Sequence, residues 1–348
     1  MRHLLIVILC FLFSAAPAQT KKTSLKKFLF TRAPYDSDYV DSYYTHFLHV
    51  TALGVLQSQD IGVSSIRDKV SVSFAPNTAY RFGFGLDYRI FSVEYSRIIN
   101  AIDAPDPKKG NTENFSLRLG ITGRRLLGSM LIQSYRGVYI SNPQQVFPNW
   151  NNTNPFPLRR DIVSEVLLGS LNYFFNHERY STMASLWQID RQKKSAGSFT
   201  TGLTASIAHL KADSSFIPLE VTIASNPNER LKEGYSYLIG VNAGYGYNYI
   251  FLKKFFINGL FIPGIDFQMN QSKNVSNDWS ASRPGIGYHG DFRLITGYNG
   301  IRYYGGAHYS NYYIVNRVES DVSVNLFNGY IRFFIGRRFD LTPHPKKK

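Results

Sequence analysis

Apolar and polar residues take turns along much of this chain. Tyr80, Phe82, Phe84, Leu86 and Tyr88 alternate with Arg81, Gly83, Gly85 and Asp87. Phe115, Leu117, Leu119 and Ile121 alternate with Ser116, Arg118, Gly120 and Thr122. The same pattern runs through 198–207 and 235–249. Successive side chains of an extended strand face opposite sides, so each run predicts a strand with one apolar and one polar face. Less regular runs at 45–57, 62–74, 89–98, 126–140, 160–175, 180–191, 255–269, 288–299, 301–315 and 321–339 predict further strands. No sustained helical period lies between them.

Strand length and aromatic content then choose the architecture. A tilted strand needs about 9–11 residues to cross a bilayer, and most of these runs reach that. Strands of a soluble β-sandwich are usually shorter. Its buried face would also hold fewer tyrosines, because each buried hydroxyl needs a partner. Here 24 Tyr and 26 Phe gather toward the ends of many runs, as an interfacial girdle requires. The expected fold is all-β: a transmembrane antiparallel up-and-down β-barrel.

The links set the strand number less cleanly. Asn176-His177-Glu178-Arg179, Leu252-Lys253-Lys254 and Asn299-Gly300 read as tight turns, and 99–111, 141–158, 212–233 and 270–287 as long loops. In outer-membrane barrels the short turns face the periplasm and the long loops face outward. Fourteen strands would place 99–111 and 141–158 on the periplasmic side, so one or more of these strands is misassigned. The expectation is an even number, 12 or 14.

The N-terminus predicts the compartment. Arg2 and His3 precede an apolar stretch from Leu4 to Phe13, followed by small residues with Ala16 and Ala18 in an A-x-A arrangement. This reads as a secretory signal peptide over 1–18, too short to span a bilayer. The single cysteine, Cys10, lies within it, so no disulfide framework is expected. The remaining chain divides into an N-terminal periplasmic segment over 19–43, a barrel over 44–341 and a basic tail over 342–348. A formal net charge of +15 suits nucleic acid in a cytosolic protein, but an exported chain argues against that partner. The expected location is the outer membrane of a Gram-negative bacterium. Its lipid and lipopolysaccharide would be partners, with the barrel-assembly machinery during biogenesis. The closing run, Phe333 to Leu341, resembles the insertion signal read by that machinery, although Phe334 stands where a polar residue is usual.

Several segments resemble a known family. Ala75-Pro76-Asn77-Thr78, followed by Phe82-Gly83-Phe84-Gly85-Leu86-Asp87-Tyr88, is similar to an early hairpin of domain-of-unknown-function family 4421. Gln192-Lys193-Lys194-Ser195-Ala196-Gly197-Ser198 and Gly244-Tyr245-Gly246-Tyr247-Asn248 also resemble it. The resemblance covers nearly the whole chain after the leader. It implies an exported barrel and brings no activity.

Candidate chemistry is sparse. Gly285-Ile286-Gly287-Tyr288-His289-Gly290 spells G-x-G-x-x-G but leads into a strand, so it lacks the helix N-terminus that a phosphate site uses. His177-Glu178 lacks a second zinc ligand, and the eight histidines form no short-spaced cluster. No cofactor or metal is expected. Alternation puts Arg81, Asp87, Glu94, Arg118, Asp266, Asp291, Arg293 and Arg302 on the non-lipid face, since charges on the lipid face cost about 2–4 kcal/mol each near the midplane. Their two readings are a salt-bridge lattice filling the lumen and a wet passage for a small solute. Ala307-His308-Tyr309-Ser310-Asn311 resembles the H-x-S-N segment of lipid A deacylases, with His308 and Ser310 on one face and Glu319 as the orienting acid that a serine–histidine pair needs. Three functions are therefore compatible with the sequence. The foremost is a structural or passive small-solute barrel without catalysis. The others are a barrel-embedded hydrolase using Ser310, His308 and Glu319, and a soluble periplasmic β-sandwich that binds a ligand.

Overall fold

The computed structural model describes residues 35–341 apart from 79, 100–103, 153, 222–229 and 319–321. The signal peptide and the basic tail expected at 1–18 and 342–348 lie outside the described residues. Twelve antiparallel strands close into one ring. In order around it they are β2 (Leu48–Ser65), β4 (Arg81–Tyr88), β5 (Phe91–Ile98), β6 (Glu113–Thr122), β7 (Leu126–Ile140), β8 (Leu158–Phe174), β10 (Ala196–Lys211), β11 (Leu231–Phe251), β12 (Phe255–Asn274), β13 (Arg283–Asn299), β14 (Tyr303–Arg317) and β15 (Val322–Phe339). β15 returns to β2 in register from Val322 opposite Ser65 to Phe339 opposite Leu48. Closure leaves the ring without free edges except where the upper ends of β5 and β6 part. The soluble-sandwich expectation is thereby overturned, since a sandwich needs two stacked sheets and these strands form one closed sheet.

A thirteenth strand, β3 (Val70–Ala75), pairs with the upper end of β2 (Ile61 opposite Phe74) and with the upper end of β7 (Phe74 opposite Ile140). Lower down, β2 pairs with β4. In the upper wall β3 thus stands between β2 and β7, where β4 to β6 stand below. β5 and β6 pair only from Phe91–Ile121 to Tyr95–Leu117. Above that they diverge around a cavity of about 160 Å³ lined by Arg81, Ser96 and Asn114 among others. Arg81 bridges the seam by donating to Asn114 Oδ1 and to the Ser96 carbonyl.

Two assignments from the sequence are corrected, and with them the parity of the loops. The run at 62–74 is broken by the turn at 66–69, and its first residues continue β2. The run at 180–191 is no strand of the ring. Together with 176–179, expected to be a tight turn, it belongs to an inserted segment that carries a short helix, Thr182–Leu186. With 180–191 removed, the loops 99–112, 141–157, 212–230 and 275–282 all fall at the upper end. The chain enters and leaves the ring at the lower end, at Leu48 and Phe339.

The two faces of the wall change character with height. On β12 the outward residues from Phe255 to Met269 are apolar except for Gly259, while the inward face buries Phe256, Asn258, Leu260 and Ile262 low down and Asp266, Gln268 and Asn270 above. Fourteen steps of about 3.3 Å on a strand tilted by roughly 40° make an apolar band about 35 Å high. Near the upper rim the pattern inverts. β2 turns Leu48, Val50, Ala52 and Leu56 outward, then Ser58, Asp60 and Ser64; over the same upper stretch Ile61 and Val63 are buried inside. β15 inverts likewise, with Val322, Val324 and Leu326 inside and Ser323 and Asn325 outside. The lower wall is therefore built for apolar surroundings outside, with polar residues and apolar clusters mixed within. At β2 and β15 the upper wall is built like an ordinary protein in water, apolar within and polar without.

Candidate functional site

The lumen has a floor, a chamber and a roof. The floor is the segment 175–195, which rises into the ring and buries Tyr180 to Leu186 and Gln188 to Asp190. Ser181 starts its helix by accepting from the Ala184 N–H at 3.1 Å, which satisfies a donor that the first turn leaves free. Tyr180 stacks on Phe174, ring centroids 5.6 Å apart, and its hydroxyl accepts from Asn258 Nδ2 at 2.9 Å. A Cβ on Gly246 would lie 2.6 Å from that hydroxyl, so the glycine makes room for the docked tyrosine. Gln192 accepts from Ser181 N–H at 3.0 Å and donates to the Lys194 carbonyl at 3.0 Å. Arg338 of β15 donates to the Gln188 carbonyl and to Asn299 Oδ1.

Residues 35–43, expected to belong to the N-terminal periplasmic segment, and 44–47, expected to begin the barrel, pack onto this floor. β1 (Val40–Asp41) pairs with β9 (Arg191–Gln192) in a second small sheet. Asp190 clasps the two pieces together: its carboxylate accepts from Thr45 Oγ1 at 2.7 Å and from Ser181 Oγ at 3.2 Å. Burial raises its pKa above the ordinary 3.8, against the lowering effect of Thr45, Tyr35, Arg124 and Ser181.

The roof is apolar. Ile61, Val72, Phe74, Ile140, Ile162 and Leu326 from the walls pack with Val146, Phe216 and Ile217 from the upper loops. Arg159 holds one loop down, pairing with both oxygens of Asp161 at 2.9 and 2.8 Å and donating to the Ser215 carbonyl at 2.8 Å. Asn77 holds another. It is buried, donates to the Asp106 carbonyl at 2.7 Å and accepts from the Asp106 N–H at 3.2 Å.

Between floor and roof lies a chamber of about 80 Å³. Its walls hold Glu94, Arg118, Asp291 and Arg293, four of the charges that alternation assigned to the non-lipid face. Arg81, Asp87 and Asp266 are also buried inside the ring but do not line this chamber. Arg302 is a correction: it is exposed in the turn between β13 and β14, because alternation does not carry past Asn299-Gly300. Glu94 pairs with Arg332 at 2.8 Å and accepts from the Tyr330 hydroxyl at 3.0 Å. Asp291 is held by Arg293 through Nε at 3.0 Å and Nη2 at 2.6 Å. Asp266 meets His289 at 2.8 Å, and that ring fills space kept open by Gly240 and Gly264.

Sequence reasoning missed Arg332, Tyr330 and Tyr312, which also face this chamber; the two-residue phase of β14 and β15 carried the signal. His308 and Ser310 do share a lumenal face and line the chamber. Neither ring nitrogen of His308 has a hydrogen-bond partner among the described residues, so no hydrogen bond joins it to Ser310. Glu319 lies outside the described residues.

The architecture defines the class: a closed up-and-down β-barrel whose lumen is stopped at both ends. The chain belongs to the family described as Domain of unknown function (DUF4421), whose model matches residues 34–339. No curated protein matches it. Among solved structures it is similar to the outer membrane protease OmpT of Escherichia coli, at 10% identity and a TM-score of 0.35 over 84% of this chain and 97% of that one. It is also similar to the toluene transporter TodX of Pseudomonas putida, at 8% identity and TM-score 0.30 over 85% and 90%. A third is Ail, the attachment invasion locus protein of Yersinia pestis, at 9% identity and TM-score 0.23 over 84% and 99%. Likenesses this distant carry no argument about function.

Proposed function

We propose that the protein is an outer-membrane barrel that does not conduct, with a structural role centred on its raised upper rim. The lower band, with its outward Phe, Ile and Tyr residues, sits in the lipid, and lipopolysaccharide surrounds the outer part of that band. The inverted upper wall stands in water above it and presents the long loops. The signal peptide and the closing strand are the features through which the secretory route and the barrel-assembly machinery would deliver it. The observation that carries this reading over a passive pore is the double closure of the lumen, by the buried 175–195 segment below and the apolar roof above. A pore needs a continuous wet path, and both layers are packed with side chains. The test is single-channel recording in planar bilayers, on protein whose folded state is verified by a heat-dependent shift in gel mobility. The expected result is a baseline without steps. Regular open-channel steps from folded protein would overturn the proposal.

A further inference from the structure

The charges around the chamber do not balance. Three guanidinium groups line it, Arg118, Arg293 and Arg332, against two carboxylates, Glu94 and Asp291. Both carboxylates are committed, Glu94 to Arg332 and Tyr330, Asp291 to Arg293. In neighbouring layers Arg81 donates to Asn114 Oδ1 and the Ser96 carbonyl, and Asp266 is engaged by His289. Arg118 is left over. It sits opposite Glu94 across β5 and β6, but no ion pair within 4 Å joins it to a carboxylate among the described residues, and its guanidinium lies 4.1 Å over the Tyr330 ring. Such stacking eases a cation without neutralising it.

The hydrogen-bonding inventory leans the same way. The Nε atoms of Arg118 and Arg332, Trp187 Nε1, Asn328 Nδ2, the Tyr312 hydroxyl and both His308 nitrogens are shielded and without a hydrogen bond among the described residues, as is one carboxylate acceptor, Glu94 Oε1. A neutral imidazole offers one donor and one acceptor. This makes six donors against the ring acceptor and Glu94 Oε1. Unmatched buried donors are costly, and an uncompensated cation inside a barrel wall that faces lipid is costlier still. The group that answers both demands is small, negative and rich in acceptors. A buried water needs about 10–15 Å³ of such volume, so 80 Å³ takes several water-sized atoms and no acyl chain.

We infer that the lumenal chamber is a binding site for one small oxyanion, of phosphate or short carboxylate size, held by Arg118 with His308 and Arg332 around it. This goes beyond the structural reading and does not depend on it, because a closed barrel holds such a site whether or not its rim has a partner.

The test uses the full chain folded in detergent. Sodium phosphate, and separately sodium acetate, is titrated against sodium chloride at constant ionic strength while urea unfolding is followed. With a bound oxyanion, the unfolding equilibrium constant falls about elevenfold at ten times the dissociation constant. Phosphate also stabilises proteins generally by exclusion from their surface, so the reading is the difference between wild type and Arg118→Met. The expected result is a saturable shift with at least one of the two anions in wild type, absent in Arg118→Met. His308→Phe, which keeps the charge count, is the second variant and should weaken the shift; it decides the matter if Arg118→Met does not fold. No saturable shift with either anion, or one of equal size in the variants, overturns the inference.

Discussion

Glu94→Gln is the substitution whose cost the lumen defines most closely. Glu94 contacts Arg332 at 2.8 Å and accepts from Tyr330 at 3.0 Å, and both it and Arg332 are buried. Glutamine keeps the shape and an acceptor for Tyr330 but leaves Arg332 as a second unpaired cation beside Arg118. At an effective dielectric of about 20, opposite charges some 4 Å apart attract by about 4 kcal/mol. Breaking a buried pair from one side costs about 3–5 kcal/mol. A loss of about 4 kcal/mol is roughly a thousandfold in the unfolding equilibrium constant. Replacing both partners, Glu94→Gln with Arg332→Met, removes the stranded charge and should return most of the loss. The assay is urea unfolding of the refolded barrel, followed by tryptophan fluorescence and by gel mobility. A single variant within about 1 kcal/mol of wild type would refute the reasoning. So would a double variant no more stable than the single one.

Two further outcomes follow from the floor and the glycines. The raised pKa of Asp190 means that the folded floor favours the neutral acid. That stabilisation is fully present below the ordinary value of 3.8 and is lost as pH rises through the raised folded value. Hydrogen exchange of 176–194 should therefore quicken with pH in wild type beyond the intrinsic base-catalysed trend, and Asp190→Asn should remove the excess. A Cβ at Gly264 would lie 2.3 Å from His289 Nε2 and 2.7 Å from the Val241 carbonyl. Gly264→Ala should thus destabilise the barrel by about 1–3 kcal/mol, while alanine at Gly259, where nothing lies within 4 Å, should leave the urea midpoint near wild type.

Much of this was legible in the sequence, because a strand's two-residue period writes the wall directly. Seven of the eight charges assigned inward by alternation do face the lumen, and the exception, Arg302, sits where a turn resets the phase. The closed ring and its even strand number were legible too. The segment 180–191 was misread because Met183, Ala184, Leu186 and Ile189 are as apolar as a wall strand, yet they are buried as a stopper. Its helix signal is brief, one capping serine and five residues. The inverted upper wall was hidden for a related reason: an apolar face is visible in sequence, but which side it faces is not. On β2 the cue was the loss of apolar residues at even positions after Leu56, where Ser58, Asp60 and Ser64 follow while Ile61 and Val63 hold the odd positions. The chamber's surplus positive charge was not legible at all, since it depends on which strands the closed ring brings face to face.

The central claim is a barrel inserted to a definite depth, with lipid around its lower band and water around its upper wall. Cysteine substitutions at the outward positions of β12, every second residue from Ile257 to Lys273, can carry a spin label, because Cys10 is the only cysteine of the chain and falls within the segment read as the leader. In protein reconstituted into vesicles, oxygen and a water-soluble nickel complex compete to relax each label. The account predicts oxygen-dominated relaxation from Ile257 to Met269, deepest near the middle of that stretch, and a change to nickel-dominated relaxation at Gln271 and Lys273. Relaxation dominated by nickel along the whole strand, or a transition several residues below Met269, would contradict it.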